Sequence, residues 1–292
     1  MRSVQGTAEG RTGGIHVRRY KGERTVTELM LKAQIDAANA YEELMVPALF
    51  GEWASKVADA AEIRPGRRVL DVACGTGVLG REVASRTGPT GVVVGLDPSP
   101  GMLELGKRIT PGLEWRQGVA ESLPFPDRSF DAVVSQFGLM FFADRQLAIR
   151  EMLRVLASGG RLAVAVWDSL DNIPAYAAEV ALLDRLAGRR AGDALRAPFV
   201  LGERPDLAAL FRDAGVAAVE VTTQQGTARF PSVRVMVEAD LRGWLPVMGV
   251  VLPDEQVTRI LDEAEHVLRP YVATDGMAVF GTSAHIITGK RA

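Results

Sequence analysis

The chain is poor in cysteine, histidine and aromatic residues, and each shortage excludes something. A single cysteine, Cys74, rules out a disulfide framework and a multi-cysteine zinc site. The three histidines, His16, His266 and His285, have no metal-ligand spacing, so no metal is expected. Aromatic residues make up 6% of the 292 positions and the formal net charge is −2. With neither a basic stripe nor an aromatic platform, no nucleic-acid partner is expected. No apolar run approaches the ~20 residues of a membrane span. The opening MRSVQGTAEGRTGG has no apolar stretch of the secretory type. The expected location is therefore the cytoplasm. What is present, 47% apolar and 24% charged residues, is ordinary globular composition with ample material for a core.

The pattern along the chain changes several times. Residues 1–24, rich in Gly, Arg and Thr, read as a flexible arm with a basic cluster from His16 to Arg24. Residues 25–62 read as N-terminal helices, because apolar residues recur at spacings of three and four. Pro47 is expected to divide them into two helices. Residues 63–170 read as alternating strands and helices. The strands are Val69–Cys74, Val92–Leu96, Leu113–Gln117, Phe130–Ser135 and Arg161–Trp167. Ser99 with Pro100 opens one helix and Asp144 another, which Ser158-Gly-Gly should end. Strand–helix alternation at this spacing predicts βαβ units and a parallel sheet with covered faces. Residues 171–204 then read as a lid segment and 205–230 as a continuation of the core. Residues 231–272 read as a helical insertion over the site, and 273–292 as the last strand.

The chemistry gathers behind the first strand. Gly75-x-Gly77-x-x-Gly80 leads directly from that strand into a helix, and Asp97 ends the next strand, 20 residues beyond Gly77. Such glycines permit a tight turn and close approach of a ligand, and the acid can accept from ribose hydroxyls. An adenosine-containing ligand follows. Asp71, inside the apolar first strand, argues against a pyrophosphate, because a buried carboxylate there would repel it.

At this point the chain resembles a known family. Val-Leu-Asp71-Val-Ala-Cys-Gly75-Thr-Gly77 and Gly95-Leu-Asp97-Pro-Ser-Pro-Gly-Met102-Leu are similar to the first two motifs of class I S-adenosylmethionine-dependent methyltransferases. The stretch from Gly118-Val-Ala120-Glu121 to Phe130-Asp-Ala-Val-Val-Ser135 resembles the ubiquinone/menaquinone-methyltransferase-like subgroup. So does Arg150–Leu162, and the resemblance runs over about residues 41–168. It implies a Rossmann-like α/β fold of seven strands, mostly parallel with the last antiparallel, helices on both faces and a helical lid.

The resemblance also implies S-adenosyl-L-methionine as cofactor and S-adenosyl-L-homocysteine as product. It puts Ala73, Gly75, Thr76 and Gly77 against the methionine half, with Asp71 orienting the ammonium. Asp97, beside Pro98, would hold the ribose. Met102 would pack on the adenine, which Ala120 and Glu121 would flank. Ser135, Gln136 and Phe137 would lie near the methyl group, and Tyr41 would close over the cofactor carboxylate. The subgroup's usual acid is replaced here by Val119. Methyl transfer needs alignment more than a dedicated base, and no catalytic motif is visible; Tyr41, His285, Asp240 and Tyr271 are the candidates. The expected partners are a small, hydrophobic acceptor and a second copy of the chain in a homodimer. A nicotinamide-dependent oxidoreductase and a non-catalytic cofactor-binding protein remain alternatives at this stage.

Overall fold

The protein was analysed as a computed structural model, which describes residues 21–291, with side chains from Glu28 onward. The arm assigned to residues 1–24 lies outside the described residues up to position 20. From Lys21 the chain is already helical, so the helix starts earlier than its apolar spacing indicated. It runs through α1 (Lys21–Ala40), a π-helical stretch (Tyr41–Phe50) and α2 (Gly51–Ala60) without interruption. Pro47 does not divide the segment. The wider π turn accommodates a residue that has no N–H to donate, so the rod survives a proline at its centre.

Then come β1 (Arg68–Val72), α3 (Val78–Thr87), β2 (Val92–Asp97), α4 (Pro100–Ile109), β3 (Glu114–Gln117), β4 (Phe130–Gln136), α5 (Arg145–Val155) and β5 (Leu156–Trp167). Two helix starts are capped as the sequence requires. Ser99 Oγ accepts from the Met102 amide and Asp144 Oδ1 from the Leu147 amide. Helix α5 stops at Val155, before the Ser-Gly-Gly turn, because Leu156 already pairs with Phe130 and the chain continues as one long, bulged strand.

The remaining elements are α6 (Pro174–Ala187), α7 (Arg189–Arg196), α8 (Arg204–Asp213), β6 (Ala217–Phe230), α9 (Val233–Ala239), the single turn α10 (Leu245–Val247), α11 (Asp254–Val267) and β7 (Ala278–Lys290). The doublet Arg189-Arg190 opens α7.

The sheet has seven strands in the order β3-β2-β1-β4-β5-β7-β6. β1 to β5 are mutually parallel, and β7 runs antiparallel to both β5 and β6. Parallel strands covered on both faces read as unbroken apolar runs, which is why Val69–Val72 and Ala132–Val134 are buried. The strand order reverses between β1 and β4. A crevice therefore opens at their carboxyl ends, where such folds bind ligands. The β6–β7 ribbon projects past the end of β5, since Trp167 pairs with Ala284 and Ala278–Ser283 continue beyond it. The helices α6, α7, α9 and α11 gather at this projecting end.

Candidate functional site

The crevice is built by the turn after β1. Ala73, Gly75 and Gly77 all have left-handed backbone, with φ of 58°, 56° and 91°. At Gly77 a β-carbon would lie 2.5 Å from the Trp115 ring, so glycine is required both for conformation and for space. Ala73 carries a β-carbon in a region that disfavours one, and strain of this kind collects at ligand sites. The neighbouring loop approaches it closely: a β-carbon on Gly138 would meet that of Ala73 at 2.6 Å.

Asp97 holds the turn in place. Its Oδ2 accepts from the Gly75 amide at 2.9 Å and its Oδ1 from the Ser99 amide at 2.9 Å. Each carboxylate oxygen retains a second acceptor site, so a ribose can still be received. Cys74 packs its sulfur beneath the turn beside Gly95. Burial pushes its thiol well above the ordinary value, so it is not a nucleophile.

Asp71 is the anomaly of the crevice. It is 1% exposed, and neither carboxylate oxygen has a hydrogen-bond partner; the Gly80 amide approaches without making a well-formed bond. Burial first, and the charge of Asp97 second, raise its pKa from 3.8 to about 8. A buried carboxyl with no partner costs several kcal/mol unless something neutralises it.

The π-helical stretch closes one side. Thr76 donates its hydroxyl to Glu42, and Arg81 bridges Glu42 Oε1 at 2.6 Å and the Thr76 carbonyl at 3.0 Å. Beside them the Tyr41 hydroxyl is enclosed. Its pKa is raised by burial, then by Glu42 and Asp97, so it remains a neutral hydrogen-bonding group rather than a base. Gln136 donates to the Phe50 carbonyl at 3.0 Å, tying the same stretch to the end of β4. Glu42 and Arg81 did not stand out in the sequence. Only the adjacency of Glu42 to Tyr41 hinted at them.

Phe137 follows with φ of 55°, a second strained residue on the crevice. Its ring stacks on Trp167 at 3.9 Å and 7°, with Trp53 edge-on to both. Trp167 is a wall residue that sequence reasoning missed. An aromatic at the exit of a parallel strand was the available signal. Ser135 is fully buried beneath this group.

On the far side of Asp97, Met102 is half-buried in the first turn of α4, Ala120 is buried and Pro98 exposed. Helix α1 lies across α4 so closely that a β-carbon on Gly101 would strike Gln34. Val119 is 47% exposed and supplies no acceptor. Glu121, beside Ala120, uses its Oε1 to accept from the Ala143 and Asp144 amides at 2.8 and 3.3 Å, which secures the segment after β4.

The catalytic candidates do not converge. His285 pairs with Val166 while Trp167 pairs with Ala284, so His285 points to the face opposite the Trp167 ring. There its Nε2 meets the Gly202 carbonyl at 2.8 Å and Asp168 at 3.1 Å, and its Nδ1 meets Thr223 at 3.0 Å. Both ring nitrogens are engaged in a structural network. Asp240 is buried among the added helices and Tyr271 is half-buried against Phe280. The structure therefore unites Tyr41, Asp71, Ala73, Gly75, Thr76, Gly77, Asp97, Gln136 and Phe137 around one crevice, and excludes His285. Among the described residues no cluster of three or more potential ligands could hold a metal.

This geometry coincides with what known proteins share with the chain. A family of methyltransferase domains matches residues 70–164. Residues 70–164 are a class I S-adenosylmethionine-dependent methyltransferase domain of the ubiquinone/menaquinone-methyltransferase-like subgroup. The chain is 45% identical over 126 residues to a ubiquinone/menaquinone biosynthesis C-methyltransferase of Ectopseudomonas mendocina, covering 41% of this chain and 49% of that protein. It is 47% identical over 114 residues to a demethylmenaquinone methyltransferase of Renibacterium salmoninarum, covering 39% and 46%. The chain thus spans about half the length of the curated relatives it matches. Among solved structures, the YcgJ protein of Bacillus subtilis superposes with a TM-score of 0.54 at 22% identity, over 82% of this chain and 98% of that one. The [4+2]-cyclase SpnF superposes at 0.50 and 20% identity, over 83% and 82%. These two share the fold alone.

The cofactor of the methyltransferase domain is S-adenosylmethionine, and the crevice suits it. Asp71 is an orphaned buried acid, which a cationic amino-acid group neutralises and a pyrophosphate would not. No helix among the described residues is long and apolar enough to cross a membrane.

Proposed function

We propose that the whole chain is a methyltransferase that alkylates a small, hydrophobic acceptor. The observation that carries this reading is the unpartnered Asp71 beneath a turn held open by Asp97 and left-handed glycines. Bound there, S-adenosylmethionine supplies a methyl group on a positively charged sulfonium, an already activated leaving group. Asp71 neutralises and orients the cationic amino-acid end. Asp97 receives the ribose, Met102 and Ala120 the adenine. Thr76, Glu42 and Arg81 lock the π-helical stretch over the turn, and Tyr41 faces the cofactor's carboxylate. Phe137 and Trp167 would wall the side of the crevice from which an acceptor reaches the methyl group, and their stacked rings would exclude water there. No residue is assigned as a base. Among the described residues no histidine reaches the crevice, and the Tyr41 phenol is held neutral.

The C-methylation of quinone precursors named for the relatives is one acceptor chemistry consistent with an apolar wall. The family match ends at residue 164, before α6, α7, α9 and α11, so it does not by itself define the acceptor. SpnF is a reminder that the fold does not dictate the reaction.

The test is isothermal titration of the full chain with S-adenosylhomocysteine and with NADH, on wild type and Asp97→Ala. The first ligand should bind and the second should not. The substitution should weaken binding by at least about tenfold, ~1.4 kcal/mol for a charged hydrogen bond. Binding of NADH alone would refute the reading. Light scattering of the same preparation tests the expected homodimer.

A further inference from the structure

Away from the cofactor crevice, the helices over the projecting β6–β7 ribbon enclose two carboxylates with no cation beside them among the described residues. Glu179, on α6, is 0% exposed, and both its oxygens lack a hydrogen-bond partner. Asp240, at the junction of α9 and a π-helical turn, is 4% exposed, and its Oδ2 is likewise unpartnered. The two sense each other's charge, and the Tyr176 phenol senses both. Burial and then Asp240 hold Glu179 well above the ordinary carboxyl range. Burial raises Asp240 to about 7. Among the described residues no lysine, arginine or histidine offsets either group.

The Tyr176 ring stands beside the pair and belongs to an aromatic cluster. Tyr176 packs on Phe199 at 5.5 Å and edge-on to Phe280 at 5.6 Å, and Tyr271 reaches Phe280 at 6.1 Å. Carboxylates set among aromatic faces are the chemistry that recognises an ammonium group. The pair lies at the same end of the sheet as the crevice, because α6 begins just after β5 and Phe280 sits on the projecting part of β7. The segment that carries Asp240 continues to the surface. The π turn Asp240–Trp244 interrupts the helical ladder, Gly249 is left-handed, and Val247 and Val251 stand 75% and 80% exposed. Single π turns of this kind recur at functional sites.

We propose that Glu179 and Asp240, with the Tyr176 ring, bind the ammonium group of an amine-bearing acceptor. This rests on the methyltransferase reading and names the acceptor class for it. Without ligand, burial keeps the pair partly protonated. When the ammonium enters, a proton leaves to solvent and the cation replaces it, so charge is conserved at the site. The ammonium is the anchor, and the aromatic rings take the hydrocarbon part.

The test is calorimetric titration of the full chain at pH 7 with 2-phenylethylammonium and with the neutral 2-phenylethanol, with and without saturating S-adenosylhomocysteine. The amine should bind one per chain, at least about tenfold more tightly than the alcohol. Titrations in buffers of different ionisation heat should show release of about half to one proton per amine. In Glu179→Gln the preference and the proton release should both vanish, while S-adenosylhomocysteine affinity stays unchanged. Glutamine mimics the protonated carboxyl, so folding should persist. If that variant fails to fold, Asp240→Asn and the wild-type amine and alcohol comparison decide. Equal binding of the two probes, or an amine preference that survives both substitutions, overturns the proposal. Failure of wild type to bind S-adenosylhomocysteine would instead defeat the methyltransferase reading, and the amine titration without it would remain readable.

Discussion

Replacing Asp71 with asparagine should stabilise the free protein and impair its ligand binding. Asp71 has a folded pKa of about 8 against an ordinary 3.8. A carboxyl with a raised folded pKa imposes no penalty below the unfolded value. The penalty grows as pH rises between the two values and is constant above the higher one. At ~1.36 kcal/mol per unit it is about 3 kcal/mol at pH 6 and about 5.5 kcal/mol at pH 8.5. Asparagine cannot ionise, though its buried amide leaves donors unsatisfied at about 1–3 kcal/mol whatever the pH. That constant cancels in a comparison across pH. The stability difference between Asp71→Asn and wild type, from urea unfolding followed by tryptophan fluorescence, should therefore shift by about 2.5 kcal/mol in favour of the variant from pH 6 to pH 8.5. In the same variant S-adenosylhomocysteine should bind at least about tenfold more weakly. Wild type should release a proton on binding near pH 7, because the ligand's ammonium favours the ionised acid, and the variant should not. A stability difference that stays flat across this pH range would refute the assignment of Asp71 as a neutral, cation-seeking acid.

Three further substitutions probe the frame around the crevice. Gly77→Ala forces a β-carbon into the Trp115 ring at a φ of 91° and should lose about 2–3 kcal/mol in urea; an unchanged midpoint would mean that the turn relaxes freely. Arg154 bonds both Glu151 oxygens, Asp127 and the carbonyls of Leu123 and Phe125, so Arg154→Met should cost about 2 kcal/mol by the same assay and loosen the 118–130 loop to proteolysis. Glu42→Gln weakens the tie to Thr76 and Arg81, and should speed S-adenosylhomocysteine dissociation several-fold in stopped flow, by about 1 kcal/mol, with little change in association.

How far the chain can be read without coordinates depends on the range of the interactions involved. Strand–helix alternation, the Ser99 and Asp144 caps and the glycine turn were legible because each depends on neighbours within a few residues. Pro47 misled because a π turn absorbs what an α-helix rejects. The bonds of Glu121 were not legible, because its partners, the Ala143 and Asp144 amides, come from a loop that folds back beside it. Asp71 could be picked out as an odd acid in an apolar strand, but only its enclosure beside Asp97 makes it neutral at pH 7. His285 and Asp240 looked alike as isolated polar residues. The pairing of β7 with β5 turned His285 into a saturated structural group, and the docking of α6 beside the Asp240 turn created an unneutralised pair with Glu179. The amino-acid order by itself determined the elements, the cofactor turn and its acids, since these follow from local backbone preferences and spacing. Which distant side chains face each other, and so which carry charge or seek a ligand, was decided only by tertiary packing, because burial and pairwise charge have no meaning until the chain has closed on itself.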